Sequence, residues 1–197
     1  MDRTYGVKQL RELADKLEFE ISDAVLDKVI DFSKFKIYSK GAILANSGEK
    51  ASYAGIVMNG VVRSYYIDGD GNDITQWFAT EGSMCMDSGM YGFDEMTAMW
   101  EAIEESTVML FEVKKMKALI SGDEYLKSLW IDLLEGGMRY KIYRESGFLT
   151  ENATERYLKF RENYPDLLTR VPQRYIATYL GIQPESLSRI KNVLKEG

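Results

Sequence analysis

The sequence predicts an α+β fold, in which an antiparallel β domain with flanking helices is followed by a long helix and an all-α C-terminal domain. Between Phe35 and Phe111, short runs of β-branched and aromatic residues alternate with Gly, Asn and Asp. Such spacing is typical of a β-sandwich or barrel. Apolar residues then recur with the helical period over residues 123–147, and two short helical patterns meet at Gly181.

Two helices are predicted before the β domain, between about Gly6 and Asp31. The apolar residues of this stretch follow the helical spacing i, i+3, i+4, i+7. They are Val7, Leu10, Leu13, Leu17, Ile21, Val25, Leu26, Val29 and Ile30. Ser22 is of a residue type that caps helix N-termini and is predicted to cap the second helix.

Six β-strands are predicted from the short apolar runs and the turn residues between them. Their ranges are Phe35–Tyr38, Ile43–Leu44, Tyr53–Met58, Val61–Ile67, Asp73–Phe78 and Thr107–Val113. Asn59-Gly60 predicts one hairpin turn and residues 68–72 predict a second. Residues 83–99, here called the methionine segment, are less regular and are predicted to hold a loop and a short helix.

A long helix is predicted to start at a capping box from Ser121 to Glu124 and to run to about Gly147. Its predicted apolar stripe contains Leu126, Leu129, Trp130, Leu133, Met138 and Tyr140. Two interpretations stay open, because such a stripe either joins two copies of the chain through residues 123–147 or packs on its own β domain.

Two further helical segments follow the long helix. Asn152 and Glu155 predict a capped helix through Phe160 that ends before Tyr164-Pro165. Residues 166–170 are then predicted to form a short helical turn.

The C-terminal pattern, from Gln173 to Leu194, predicts a helix-turn-helix. Gly181 suits a left-handed residue at the end of the first helix, and Pro184 suits the first turn of the second. Ala177 is predicted to be small because the second helix crosses close to it. Leu187 and Ile190 are predicted to close the core between the two helices. The residues left to face outward are Pro184, Glu185, Ser188, Arg189 and Asn192.

Composition excludes several classes of protein. The 197 residues contain no apolar run of about 18, the length that a membrane span needs. The first residues do not have the pattern of a signal peptide, and a single Cys fits a cytoplasmic protein without internal disulfides. The complete lack of His excludes histidine-ligated haem or zinc and Ser-His catalysis, so we expect no metal, no cofactor and no enzyme activity.

The net charge of −6 argues against a protein that binds nucleic acid regardless of sequence. From Thr150 onward there are eight Lys or Arg and six Asp or Glu, a net charge of +2, whereas the rest of the chain carries −8. The C-terminal part is therefore the only one that is slightly basic.

The chain as a whole resembles the CRP/FNR family of bacterial transcription regulators. The resemblance rests on Gly41, Gly48-Glu49, Asn59-Gly60, Ile103-Glu104, residues 154–158 and residues 171–194. It implies a jelly roll like that of cyclic-nucleotide-binding domains at residues 1–120, a dimerisation helix at 121–149 and a helix-turn-helix domain at 150–197. It also implies a homodimer on a pseudo-palindromic double-stranded DNA operator, with RNA polymerase as a further partner.

The candidate DNA-binding residues lie on the two C-terminal helices. By position, Glu185 and Arg189 match family positions that contact bases, whereas Pro184 departs from the Arg that some members carry there. The β wing of some relatives is not expected, so fewer phosphate contacts are expected. The full candidate set is Arg174, Glu185, Ser186, Ser188, Arg189, Lys191 and Asn192.

The effector region is where the sequence departs most from the family. The position of the Arg that pairs with the phosphate of a cyclic nucleotide corresponds to Met96, and no Lys or Arg lies between Arg63 and Lys114. Because a buried phosphodiester anion needs a cation or strong donors, we expect no binding of cAMP or cGMP.

Methionine and aromatic side chains suggest a small apolar effector instead, since Met adapts to irregular apolar ligands. A core filled by these side chains, without ligand, is the alternative. Cys85 is predicted to be a buried, inert thiol, because no basic residue lies beside it in sequence. The candidate pocket residues are Met84, Met86, Tyr91, Met96, Trp100, Met138 and Ile142.

Two functions therefore remain open at the level of the sequence. The first is a dimeric, sequence-specific transcription regulator, favoured by the helix-turn-helix pattern and Arg189. The second is an effector-sensing module with degenerate DNA binding that acts through a protein partner, favoured by the acidic balance.

Overall fold

The structure, a computed structural model, describes residues 3–16 and 18–196. The described residues form two compact units. Unit 1 contains the residues up to Tyr65 together with Trp77–Leu119, and unit 2 contains Tyr66–Gln76 and the residues from Ile120 onward. Leu17, which the N-terminal apolar pattern includes, lies outside the described residues.

Helices and strands follow the α+β order that the sequence predicts. The helices are α1 (Arg3–Lys16), α2 (Asp23–Asp31), a 3₁₀ helix (Asp87–Tyr91), α3 (Val113–Ser121), α4 (Glu124–Thr150), α5 (Ala153–Asn163), α6 (Leu167–Arg170), α7 (Gln173–Tyr179) and α8 (Pro184–Glu196). The strands are β1 (Ser33–Tyr38), β2 (Ile43–Ala45), β3 (Tyr53–Asn59), β4 (Val62–Ile67), β5 (Asp73–Ala79), β6 (Met84–Cys85), β7 (Met99–Ala102) and β8 (Ser106–Glu112).

The strands form two four-stranded sheets, with the orders β1-β8-β3-β6 and β2-β7-β4-β5. The registered pairs, such as β1 with β8 and β4 with β7, run antiparallel. Buried side chains from both sheets share one hydrophobic core, to which Val57 and Val108 contribute from the first sheet and Val62 and Trp100 from the second. The α+β prediction with an antiparallel β domain is therefore confirmed.

One predicted turn was wrong, and three elements were not predicted. Asn59-Gly60 forms no hairpin, because β3 and β4 lie in different sheets and β3 pairs with β8 and β6. The turn at residues 68–72 does join neighbouring strands, β4 and β5. The sequence prediction missed β6, β7 and α3, since β6 and β7 are only two and four residues long and α3 follows β8 directly.

The predicted helix caps had different outcomes. Asn152 and Glu155 form the predicted capping box at the start of α5. The box predicted from Ser121 was wrong: Ser121 ends α3, and Asp123 caps α4 by accepting a hydrogen bond from the Leu126 N–H at 3.0 Å. Ser22 occupies the predicted N-cap position of α2, but its side chain makes no capping hydrogen bond.

Helix α4 has apolar residues on two opposite faces. Most of the predicted stripe, such as Leu126 and Tyr140, is buried or half-buried. Leu133 and Met138 are exposed instead, and Met138 belongs to a second apolar stripe on the opposite face. The exposed stripe consists of Ile131, Leu134, Met138 and Ile142.

Candidate functional site

Helices α7 and α8 are joined by a tight turn at Gly181. The N–H of Ile182 donates to the Ala177 carbonyl at 3.0 Å and the N–H of Gly181 donates to the Thr178 carbonyl at 3.1 Å. This pair of bonds defines a Schellman motif, which requires a left-handed residue after the helix. Gly181 is that residue, with φ +68°. A Cβ there would also lie 2.8 Å from the Phe148 ring, so the turn favours glycine for two reasons.

The contact between α7 and α8 is apolar and closely packed. Ala177 is 0% exposed and Leu187 is 1% exposed, and Ile176 and Leu180 are also buried. Ile190 is half-buried. The small residue predicted at Ala177 and the closing residue predicted at Leu187 therefore lie where the sequence places them.

The outward face of α8 is polar. Glu185, Ser188, Arg189 and Asn192 are all exposed, and their spacing of i, i+3, i+4, i+7 puts them on one side of the helix. No ion pair joins Arg189 to any side chain that the structure describes, which leaves its fork of donors facing solvent.

The remaining DNA-binding candidates are less uniformly placed. Ser186 and Lys191 are half-buried beside the exposed face of α8. Arg174, on α7, is exposed, and its guanidinium both donates to the Tyr175 hydroxyl at 2.6 Å and stacks over that ring. The structure thus groups Glu185, Ser188, Arg189 and Asn192 on one surface.

Helix α5 supports the end of α7 from the other side. Phe160 packs against Tyr179 with 5.3 Å between ring centroids, and the Arg156 Nε–H donates to the Leu180 carbonyl at 3.1 Å. The Arg156 bond satisfies the carbonyl of Leu180, the C-cap residue of α7. Both contacts hold the turn from which α8 starts.

Tyrosine hydroxyls and one arginine surround the same helix end, and the sequence analysis did not identify them. The hydroxyls of Tyr140 and Tyr179 lie 2.8 Å apart. Burial raises the pKa of Tyr140 to about 12, so this hydroxyl is protonated at neutral pH. Arg144 donates to the Tyr179 carbonyl at 3.0 Å. No pattern in the sequence links Tyr140 and Arg144 of α4 to Tyr179, because Tyr179 lies on α7, more than 30 residues further along the chain.

The methionine segment is bound to the loop that precedes β3. The N–H of Met96 donates to the Glu49 carbonyl at 2.7 Å, and the N–H of Ala51 donates to the Asp94 carbonyl at 2.8 Å. The Thr97 N–H donates to the Ser88 hydroxyl at 3.1 Å. The predicted loop and short helix are both found here, the helix being the 3₁₀ helix at Asp87–Tyr91.

The candidate effector residues do not share one environment. Met86, Met96 and Trp100 are members of the hydrophobic core, and Met84 is half-buried on β6. Tyr91 is 51% exposed and its hydroxyl donates to Asp87 at 3.0 Å. On α4, Met138 and Ile142 are about as exposed, at 59% and 60%.

The thiol of Cys85 is completely buried among core residues. Burial raises its pKa far above the ordinary value, with Asp87 adding a smaller effect in the same direction. A thiol that stays protonated is a poor nucleophile. The predicted burial of this thiol is therefore confirmed.

The residues that the structure describes contain a small pocket of about 200 Å³ in unit 1. It includes none of the candidate effector residues. The residues that the structure describes also include no group of three or more Cys, Asp or Glu side chains placed to hold a metal ion. None of the described helices is both long and apolar enough to cross a membrane. The lining residues of the pocket include Lys50, Ser52, Gly92, Phe93, Asp94 and Lys117.

Comparison with known protein families identifies the β domain. Residues 35–123 match the family profile of the cyclic nucleotide-binding domain. No curated protein sequence matches the chain.

Solved structures match over most of the chain. FixK2 from Bradyrhizobium japonicum is 22% identical, with a TM-score of 0.73, over 83% of this chain and 85% of that one. CLP, a c-di-GMP-responsive global regulator from Xanthomonas campestris, is 13% identical, with a TM-score of 0.68, over 89% and 92%. A protein from Eubacterium rectale assigned to the CRP/FNR family of transcriptional regulators is 16% identical, with a TM-score of 0.69, over 89% and 84%. The chain therefore carries a match to the cyclic nucleotide-binding domain and shares the fold of CRP/FNR-type regulators.

Proposed function

We propose that this protein is a sequence-specific DNA-binding transcription regulator of the CRP/FNR type. It acts as a homodimer on a pseudo-palindromic operator, and α8 is its recognition helix. Its effector is a small molecule other than a cyclic nucleotide, or it needs none.

The exposed polar face of α8 is the observation that carries this proposal. An Arg on such a face can donate two hydrogen bonds to guanine, and a Glu can accept one from cytosine. The buried contact of Leu187 with α7 holds that face on a rigid support. A helix of this length, with one packed side and one polar side, can enter a major groove.

The charge distribution supports specific rather than indiscriminate binding. The chain carries −6 in total, so long-range attraction to phosphates is weak for the protein as a whole. Affinity must then come largely from a few placed contacts on the slightly basic C-terminal part. The acidic balance also favours the second candidate, a module that acts through a protein partner.

DNA selection from a random duplex pool, at two salt concentrations, tests the proposal. Enrichment of a two-fold-symmetric site by the purified protein alone is the expected result. If nothing is enriched, the selection is repeated with cell extract. Enrichment only with extract indicates an obligatory effector, and no enrichment in either case contradicts DNA binding and favours the second candidate.

The exposed stripe on α4 supports the homodimer. Ile131, Leu134, Met138 and Ile142 recur at intervals of three and four residues on one side of a 27-residue helix. Large apolar stripes exposed in this way mark association surfaces. A second copy of the same helix offers a self-complementary partner for such a stripe.

Sedimentation of two matched variants tests the dimer. Met138→Glu puts a charge in the exposed stripe and is expected to give monomers. Leu133→Glu puts the same charge on another side of α4, at a residue that is 45% exposed, and is expected to stay dimeric. Monomers from both variants, or from neither, would contradict this assignment of the interface.

The packing of Met96 supports an effector other than a cyclic nucleotide. This side chain is 4% exposed and belongs to the core. The sequence resemblance matches it to the Arg that cyclic-nucleotide binders of the family carry. A phosphate buried there would lack a cation. Isothermal titration of the folded protein with cAMP and cGMP is expected to show no binding, and micromolar affinity for either would contradict this part of the proposal.

A further inference from the structure

The tip of the hairpin between β4 and β5 belongs to unit 2, although both strands also contribute to unit 1. Residues Tyr66–Gln76 group with α4 to α8, whereas Tyr65 and Trp77 group with the β domain. The same two strands therefore extend through both units.

Thr75 at this tip contacts Thr178 on α7. The Thr75 N–H donates to the Thr178 hydroxyl oxygen at 3.2 Å, and the two hydroxyl oxygens lie 2.9 Å apart. Thr75 is 0% exposed. The Thr75 N–H and the hydroxyl groups of Thr75 and Thr178 thus form a partly buried polar link between the hairpin tip and α7. The two residues are 103 positions apart in sequence.

Arg144 of α4 contacts the backbone on both sides of this link, at the hairpin tip and at the end of α7. Its Nη2 donates to the Tyr179 carbonyl at 3.0 Å and lies 3.5 Å from the Thr75 carbonyl. Its guanidinium stacks over the rings of Tyr179 and Phe148, with 4.6 Å and 5.1 Å to their centroids. A positive charge on the last carbonyl groups of α7 is favourable, because they carry the negative end of the helix dipole.

One donor of Arg144 remains unused in this arrangement. Its Nε is buried and has no hydrogen-bond partner, which is rare for such a group. The unpartnered Nε therefore lowers the stability of the link. The other groups of the link are neutral hydroxyl and carbonyl groups around the single charge of Arg144. Such a link opens at a lower cost than a fully satisfied network.

We propose that Thr75, Arg144 and Thr178 form a latch that positions α7, and with it α8, for DNA binding. They are positioning residues, since none lies on the exposed polar face of α8. Opening the latch frees α7 from the hairpin tip, so the helix pair must be ordered again when DNA binds. The effect on DNA affinity rests on the proposed function, whereas the effect on the order of α7 does not.

Hydrogen exchange on the full chain tests the latch without DNA. Thr75→Val and Thr178→Val each remove one hydroxyl while keeping a branched side chain. In Thr75→Val, residues 173–179 are expected to exchange faster. In Thr178→Val, residues 66–76 are expected to exchange faster. An increase confined to the substituted element in either variant would overturn the latch.

Two further variants separate the hydroxyl link from general packing. Thr75→Ser keeps the hydroxyl and is expected to exchange like the parent protein, so loss of protection equal to that of Thr75→Val would contradict the proposal. Thr169→Val is the control, because Thr169 is exposed and its hydroxyl donates locally, to the carbonyl of Asp166 at the start of α6. It is expected to change neither segment.

Affinity for the selected DNA site gives the second measurement. Thr75→Val and Thr178→Val are each expected to weaken binding on the order of tenfold, typical of such coupling. The double variant is expected to bind like either single variant, because both remove the same link. Unchanged or tighter binding would show that the latch does not position α8 for DNA. If the parent protein selects no site at all, the proposed function fails and the exchange experiment still decides whether the latch exists.

Discussion

Helix α8 and the methionine segment both stand out in the sequence, but the structure uses their side chains in opposite ways. α8 buries Leu187 and turns four polar side chains outward. The methionine segment turns Met86 and Met96 into the core, where Trp100 of β7 also packs. Unusual composition therefore says little about where side chains point. The helical period of α8, in contrast, predicts which of its side chains pack and which face outward.

The sharpest test of this contrast is Trp100→Ala. Because Trp100 is 3% exposed in the core, its loss is expected to lower the free energy of unfolding by about 3–5 kcal/mol. Denaturant titration measures this, with Phe93→Ala as control, since Phe93 is 55% exposed. A loss below about 1 kcal/mol at Trp100 would indicate a site that a ligand, rather than the protein, fills.

Adjacent residues of α8 offer the same test on the helix itself. Leu187→Ala removes a side chain that is 1% exposed and is expected to cost about 2–5 kcal/mol of stability. Ser188→Ala, on the exposed face, is expected to stay within about 0.5 kcal/mol. Denaturant titration of both variants measures the difference. Similar losses of stability at the two positions would show that the outward face of α8 also packs against other residues.

A smaller effect is expected at the turn between α7 and α8. Gly181→Ala puts a Cβ on a residue with φ +68° and is expected to cost about 1–2 kcal/mol. Gly69→Ala is the matched control, because a Cβ there meets nothing within 4 Å. Thermal unfolding compares the two, and equal stability would mean that the turn rearranges without strain.

Two N-cap residues give the smallest predicted difference. Asn152→Ala removes a complete capping box and is expected to cost about 1 kcal/mol. Ser22→Ala is expected to cost only a few tenths of that, because the Ser22 side chain makes no capping bond. Equal costs, measured by thermal unfolding, would show that residue type rather than the observed hydrogen bond determines the contribution of a cap.

Local patterns in the sequence predicted the parts of the fold that depend on local structure. Gly181, Ala177 and the cap at Asn152 each follow from the geometry of one turn or helix end. The error at Asn59-Gly60 has the opposite cause, since the strand that follows the turn pairs elsewhere. Sheet order is a long-range property, and a strand as short as β6 leaves no periodic pattern to detect.

Local patterns likewise predicted only part of the candidate site. The periodicity of α8 predicted its outward residues, because one helix decides which side chains share a face. The two apolar faces of α4 were not separated, since periodicity does not say which face the rest of the chain covers. Thr75 and Arg144 were missed entirely, because their partners are 103 and 35 residues away.

The most direct test of DNA recognition by α8 compares DNA selection by the parent protein and by Arg189→Ala. The parent is expected to enrich a two-fold-symmetric site, and Arg189→Ala is expected to lose the preference at one base pair of each half-site while the rest of the site persists. That loss corresponds to about 1–3 kcal/mol of discrimination. Identical sites from the two proteins would contradict the assignment of α8 as the helix that reads DNA.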